Sequence, residues 1–200
     1  MSNHESTERI VLCFDRDYTV SVNPHPDHRA VPIGWLQHWY HVEEIPVWAT
    51  GNQHLKTEAE IPGIRDAEHA WKEYITDGED YDYENSQFED YIKPRRRDGL
   101  RLVQDVYEEA FPDEDFRFIV VDDEDVSDLE EEGPWTYYTP WQFVEAVENG
   151  EAGVEEPPSD AFRNDGVPFN STDRPDFEAD QQRELRRIQK RSRTPTSSER

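Results

Sequence analysis

The sequence has little that could anchor the chain covalently or in a membrane. One cysteine, Cys13, occurs in 200 residues, which excludes an internal disulfide and a thiolate zinc site of the usual kind. No apolar run approaches the roughly 20 residues of a membrane-spanning helix, and the opening MSNHESTER lacks the basic-then-apolar pattern of a secretory signal. Lysine is scarce too, with Lys56, Lys72, Lys93 and Lys190 against 17 arginines. The expectation is a cytoplasmic protein with no membrane partner.

What the chain has in excess is acid. It carries 21 Asp and 26 Glu, for a formal net charge of -26, spread along the whole length. Such a charge repels itself in dilute buffer and is tolerated where molar salt shortens the screening length to about 3 Å. The composition therefore reads as halophilic. Whole-chain disorder is argued against by 24 aromatic residues, six of them Trp, because disordered segments are poor in them.

Residues 10–14 (IVLCF), 45–49 (IPVWA) and 116–121 (FRFIVV) are short apolar runs bounded by polar residues, the form of strands buried on both faces, and 135–139 (WTYYT) is a weaker fourth. Helical stretches lie between and after them at 33–44, 64–75, 98–110 and 141–148; in the third, Leu100, Val103, Val106 and Tyr107 make one apolar stripe. Strands alternating with helices predict an α/β fold with a Rossmann-like parallel sheet covered on both faces. Residues 76–92 show no clear period. After Gly150 the composition turns to Pro, Asp, Asn, Ser and Gly, so the domain is read as 1–150 and the segment 151–200 as a disordered polar tail. Residues 182–200 hold seven basic side chains against two acidic, whereas 1–181 hold 14 against 45.

The polar residues that could carry chemistry close the apolar runs. Asp15-Arg16-Asp17-Tyr18-Thr19 ends the first, Thr50-Gly51-Asn52 the second and Asp122-Asp123-Glu124-Asp125 the third. In an open α/β sheet ligands bind beyond the carboxyl ends of the strands, so these clusters are expected to converge. Asp15 and Asp17, two apart, share a face while the chain stays extended, which suits a hard cation and a carboxylate offered to substrate. Thr19, Gly51 and Asn52, in the same clusters, are candidates for substrate contact. His25 with His28, and His38 with His41, have a spacing that could grip a metal, but no cysteine pair or His-Glu zinc motif accompanies them.

In this order the chain resembles the haloacid-dehalogenase-like superfamily of aspartate-nucleophile phosphohydrolases over roughly residues 10–148. IVLCFDRDYT resembles its first motif, VWATGN its second, Lys93-Pro94 in YIKPRRRDGL its third, and FIVVDDEDVSD its fourth. Two departures are Tyr18, where glycine is frequent, and Arg95, Arg96 and Arg97, any of which could replace Lys93. The resemblance implies Asp15 as nucleophile through an aspartyl-phosphate, Asp17 as general acid and then base, Thr50 on the phosphoryl oxygens and Lys93 as charge-offsetting cation. It implies Mg²⁺ held by Asp15, the Asp17 backbone carbonyl and one of Asp122 or Asp123, with Asp128 in support.

The gap of about 15 residues between Asp17 and the first helix is too short for an inserted domain, so the site is expected to lack a large cap, and the resemblance implies that such an open site accepts a bulky or macromolecular phosphate. His25, His28 and Arg29 lie in the loop beside the nucleophile. Two alternatives are a non-catalytic scaffold of the same fold, and a nucleic-acid end-processing phosphatase tethered by the basic stretch 182–200, which high salt disfavours.

Overall fold

A strand that is apolar at every position needs cover on both faces, and the computed structural model supplies it. It describes residues 8–64, 66, 67, 96–159, 184, 187 and 188. Strand β1 (Arg9–Phe14) is followed by α1 (Ile33–His41), β2 (Val47–Ala49), α2 (His54–Ala59), α3 (Arg96–Ala110), β3 (Phe116–Val121), a 3-10 turn (Ser127–Glu131), β4 (Trp135–Tyr138) and α4 (Pro140–Glu148). The strands form one all-parallel sheet in the order β2-β1-β3-β4. This is the Rossmann-like α/β arrangement. No helix among the described residues is long and apolar enough to cross a membrane.

The two-residue period of a strand divides the core. Leu12, Phe14, Ile119 and Val121 face one layer with Leu36, Trp39, Leu55, Phe143 and Val147 of α1, α2 and α4. Val11, Cys13, Phe118 and Val120 face the other with Leu100, Val103, Val106 and Tyr107 of α3. Each fully buried large apolar side chain contributes about 1.5–3 kcal/mol. On the first face Phe14 stacks on Trp39 at 6.3 Å and meets Phe143 edge-on at 5.6 Å. On the second, buried Trp48 donates from Nε1 to the Tyr107 hydroxyl at 3.0 Å.

Register brings the strand ends level: Phe14 lies opposite Ala49 and Val121, and Val121 opposite Tyr138. The next residues in each chain segment, Thr50, Asp15, Asp122 and Thr139, therefore share one edge of the sheet. The chain leaves β1 toward β2 on one side and returns to β3 on the other, so the strand order reverses between β1 and β3, where such sheets hold their ligands.

Apolar packing continues past the boundary read at Gly150. Ala152, Val154 and Pro157 are buried, and Trp39 Nε1 donates to the Glu155 carbonyl at 2.9 Å. Further on, Ile188 is buried in the α3 layer, and wholly buried Glu184 accepts from the Tyr107 hydroxyl at 3.0 Å. A polar composition hid these contacts because only a few apolar side chains, widely spaced, make them. The rest of 160–200, the segment 76–92 and Lys93 lie outside the described residues.

Candidate active site

Hydrogen bonds carry the strand ladder one residue beyond its ends. Thr50 N–H donates to the Phe14 carbonyl at 2.9 Å, Asp15 N–H to the Val121 carbonyl at 3.1 Å and Asp122 N–H to the Tyr138 carbonyl at 3.2 Å. Asp15 and Asp122 are thereby fixed side by side and buried, 3% and 0% exposed. With Asp123 they form a group in which one carboxylate oxygen from each residue lies within 4.8 Å of the other two.

Like charges this close in a dry edge resist ionisation. Burial pushes the Asp122 carboxyl up to about 7; Arg96 opposes that and the charge of Asp15 adds to it. Asp123 is raised too, chiefly by burial and then by Asp15. Asp122 Oδ1 accepts from the Glu124 N–H at 2.9 Å, whereas Asp122 Oδ2 is buried with no hydrogen-bond partner. A hard cation bound by oxygens fits that donor set.

The cation that faces this group is Arg96, in the first turn of α3. Its Nη1 lies 3.0 Å from Asp122 Oδ1 and 2.7 Å from Glu124 Oε2, and its Nη2 lies 3.3 Å from Asp15 Oδ2. The neighbouring Arg97 instead takes Asp128 in a two-point ion pair, Nε and Nη2 at 2.7 and 2.8 Å, and also donates to the Asp125 carbonyl. Asp128 thus braces the start of α3 and holds Arg96 toward the site. Of the arginines left open by the sequence, Arg96 reaches the carboxylates, Arg97 does not, and Arg95 lies outside the described residues with Lys93.

Asp15 Oδ1 accepts from the Asn52 backbone N–H at 2.9 Å. The two segments approach so closely that a Cβ on Gly51 would sit 1.5 Å from Asp15 Oδ1. Asn52 also orders Asp17: its Oδ1 accepts from His54 N–H and its Nδ2 donates to Asp17 Oδ2 at 2.8 Å. Asp17 Oδ1 accepts from Asn23 Nδ2 at 2.8 Å and Arg16 Nη1 at 2.7 Å. These bonds, Asn52 first, hold the Asp17 carboxyl down to about 2. Its side chain stands apart from the Asp15, Asp122 and Asp123 group, which leaves the backbone carbonyl as the atom for the metal role read from the resemblance.

The hydroxyl groups of Thr19 and Thr50 are buried without a hydrogen-bond partner. Such groups cost roughly 1–3 kcal/mol unless something completes them. Asn23 was missed in the sequence because it meets Asp17 only through the turn in which Tyr18 N–H donates to the Asn23 carbonyl at 2.8 Å. Between Asp17 and α1 there is a loop with no inserted domain; a cap within 68–95 would lie outside the described residues.

Fold and site together define a class: an open α/β domain with a buried acidic group, an arginine and unpartnered hydroxyls where its strand order reverses. No family model, curated protein or solved structure matches the chain.

Proposed function

We propose that the chain is a Mg²⁺-dependent phosphohydrolase of the haloacid-dehalogenase-like kind. The observation that carries this reading is the convergence of Asp15, Asp122 and Asp123 within 4.8 Å, faced by Arg96. Asp15 attacks phosphorus, the ester oxygen departs, and an aspartyl-phosphate forms on Asp15. Arg96 offsets the charge of Asp15 and of the phosphoryl group, in the part read from sequence for Lys93. Thr50 Oγ1 has its hydrogen-bonding capacity free for a phosphoryl oxygen. Asp15, the Asp17 backbone carbonyl and one of Asp122 or Asp123 would hold Mg²⁺, which when bound would supply further charge neutralisation to a transfer that is mostly electrostatic.

Asp17 handles the protons. Held ionised by Asn52, Asn23 and Arg16, it is prepared as the base that takes a proton from water when the aspartyl-phosphate is hydrolysed. Donating a proton to the leaving oxygen in the first step requires some of those bonds to open. A pure binding scaffold would have no need of both Asp15 and Asp17 at the end of β1, and the presence of both favours the enzyme.

The test is turnover of 4-nitrophenyl phosphate in molar KCl with and without Mg²⁺. Asp15→Asn abolishes turnover and phosphoenzyme with any substrate. Asp17→Asn loses a term worth roughly 10² to 10⁴ with poor leaving groups, and with nitrophenolate it keeps much of the first step. Wild-type turnover by Asp15→Asn would overturn the assignment.

A further inference from the structure

Among the described residues two large apolar side chains are exposed, Val42 and Tyr18, and Tyr18 is 46% exposed three residues beyond Asp15. Its φ is 58°, a left-handed conformation that is uncommon outside glycine and tends to be retained at functional sites. The Tyr18–Asn23 turn and the Asn23 bond to Asp17 hold it there.

Tyr18 begins a run of four rings. It meets His25 edge-on at 5.5 Å, His25 meets His28 at 4.6 Å, and His28 stacks on Trp141 at 4.2 Å. Trp141 lies in the first turn of α4, directly after β4. The run therefore links the carboxyl end of β1 to that of β4 along the edge at which β3, between them, presents Asp122 and Asp123. The loop is pinned: Ser21 N–H donates to Val31, Val31 N–H to Thr19, and Ile33 N–H to Ser21 Oγ at 3.0 Å. A brace alone would gain most by burying its rings, yet Tyr18 and His28 stay open to solvent.

We propose that these rings recognise a nucleobase, so that the phosphate monoester taken by the site is a nucleoside monophosphate, its base stacked on Tyr18 and its phosphoryl group at Asp15. This rests on the phosphohydrolase reading. Three residues span at most about 10 Å, a scale that a sugar between phosphate and base can bridge. A single nucleotide suits the charge better than a polynucleotide. The chain is -26 overall, and the arginines beside the loop, Arg16 and Arg29, are already engaged by Glu58 and Glu148. The substrate is then smaller than the macromolecular phosphate expected from an open site.

The experiment compares adenosine 5′-monophosphate with ribose 5-phosphate, the same phosphate and sugar without the base. Turnover is measured on the full chain in molar KCl with Mg²⁺, and binding calorimetrically on Asp15→Asn. Stacking of one base gives a preference of about 10- to 100-fold for the nucleotide. Tyr18→Gly, which also relieves the left-handed backbone, brings the ratio toward one, and Tyr18→Phe keeps it. Equal binding and turnover of the two phosphates would overturn the stacking site while leaving the phosphohydrolase intact. Tyr18-dependent preference in binding, with neither compound hydrolysed, would overturn the phosphohydrolase and uphold the stacking site.

Discussion

Gly51→Ala isolates the closest approach in the site. The backbone of Gly51 is not left-handed, so conformation alone would let alanine stabilise the chain by about 0.4–1 kcal/mol. Space forbids it. The added carbon would lie 1.5 Å from Asp15 Oδ1 and 2.4 Å from its Cγ, so the carboxylate must swing away from the Asn52 N–H at 2.9 Å and from Arg96 at 3.3 Å. Breaking a hydrogen bond to a buried charge costs roughly 1.5–3 kcal/mol, which exceeds the entropic gain and leaves a net loss of about 1.5 kcal/mol. If the clash with that carboxylate is the cause, Asp15→Ala removes it, because the nearest remaining atom is Asp15 Cβ at 3.1 Å. Urea unfolding in molar KCl, followed by tryptophan fluorescence across the double-mutant cycle, should then give a coupling of about 2 kcal/mol. Equal cost of Gly51→Ala in both backgrounds would refute the reasoning, and so would a Gly51→Ala variant as stable as its parent.

Two further predictions address the acidic edge and the chain beyond residue 159. Because burial lifts the Asp122 carboxyl to about 7, the stability tied to its neutral form is present below the ordinary carboxylate range and is lost as pH rises through 7. Asp122→Asn, neutral throughout, should therefore gain on its parent by roughly 4 kcal/mol between about pH 4 and pH 8 in Mg²⁺-free thermal melts, and a pH-independent difference would count against it. Ile188→Ala should cost about 2–4 kcal/mol in urea unfolding because Ile188 is fully buried in the α3 layer, while an unchanged midpoint would mean that the segment is not docked.

The strands were the most legible part of the fold. Residues 116–121 are apolar at nearly every position and become β3 without change of boundary, and 10–14 gains only Arg9. The second strand is shorter than its run, Val47–Ala49 rather than 45–49, because Pro46 offers no N–H to a ladder. Helix α2 went unread: six residues, HLKTEA, are too few to show a period, and it is Leu55 and Ala59 alone that are buried. Convergence of the strand-end clusters was legible, since parallel strands ending level must bring Thr50, Asp15 and Asp122 together. The low-titrating state of Asp17 was not, because it depends on Asn52 and Asn23, which reach it from two separate turns.

The arginine facing the acidic group was encoded more openly than the three-arginine run suggests. Successive helical residues turn by about 100°, so Arg96 and Arg97, the first two residues of α3, cannot both face one edge. The buried stripe of α3 sets the phase. Leu100, Val103 and Tyr107 are fully buried, and extending their alternation of three and four residues backward reaches Arg96, not Arg97. The next face carries Arg97, Arg101 and Gln104, whose partners are Asp128, Glu132 and Glu108. One apolar pattern thus does two things: it seats α3 on the sheet, and it aims the residue one turn before Leu100 along the same face toward the strand ends. There the carboxylates of β1 and β3 meet an arginine whose direction the core has already chosen.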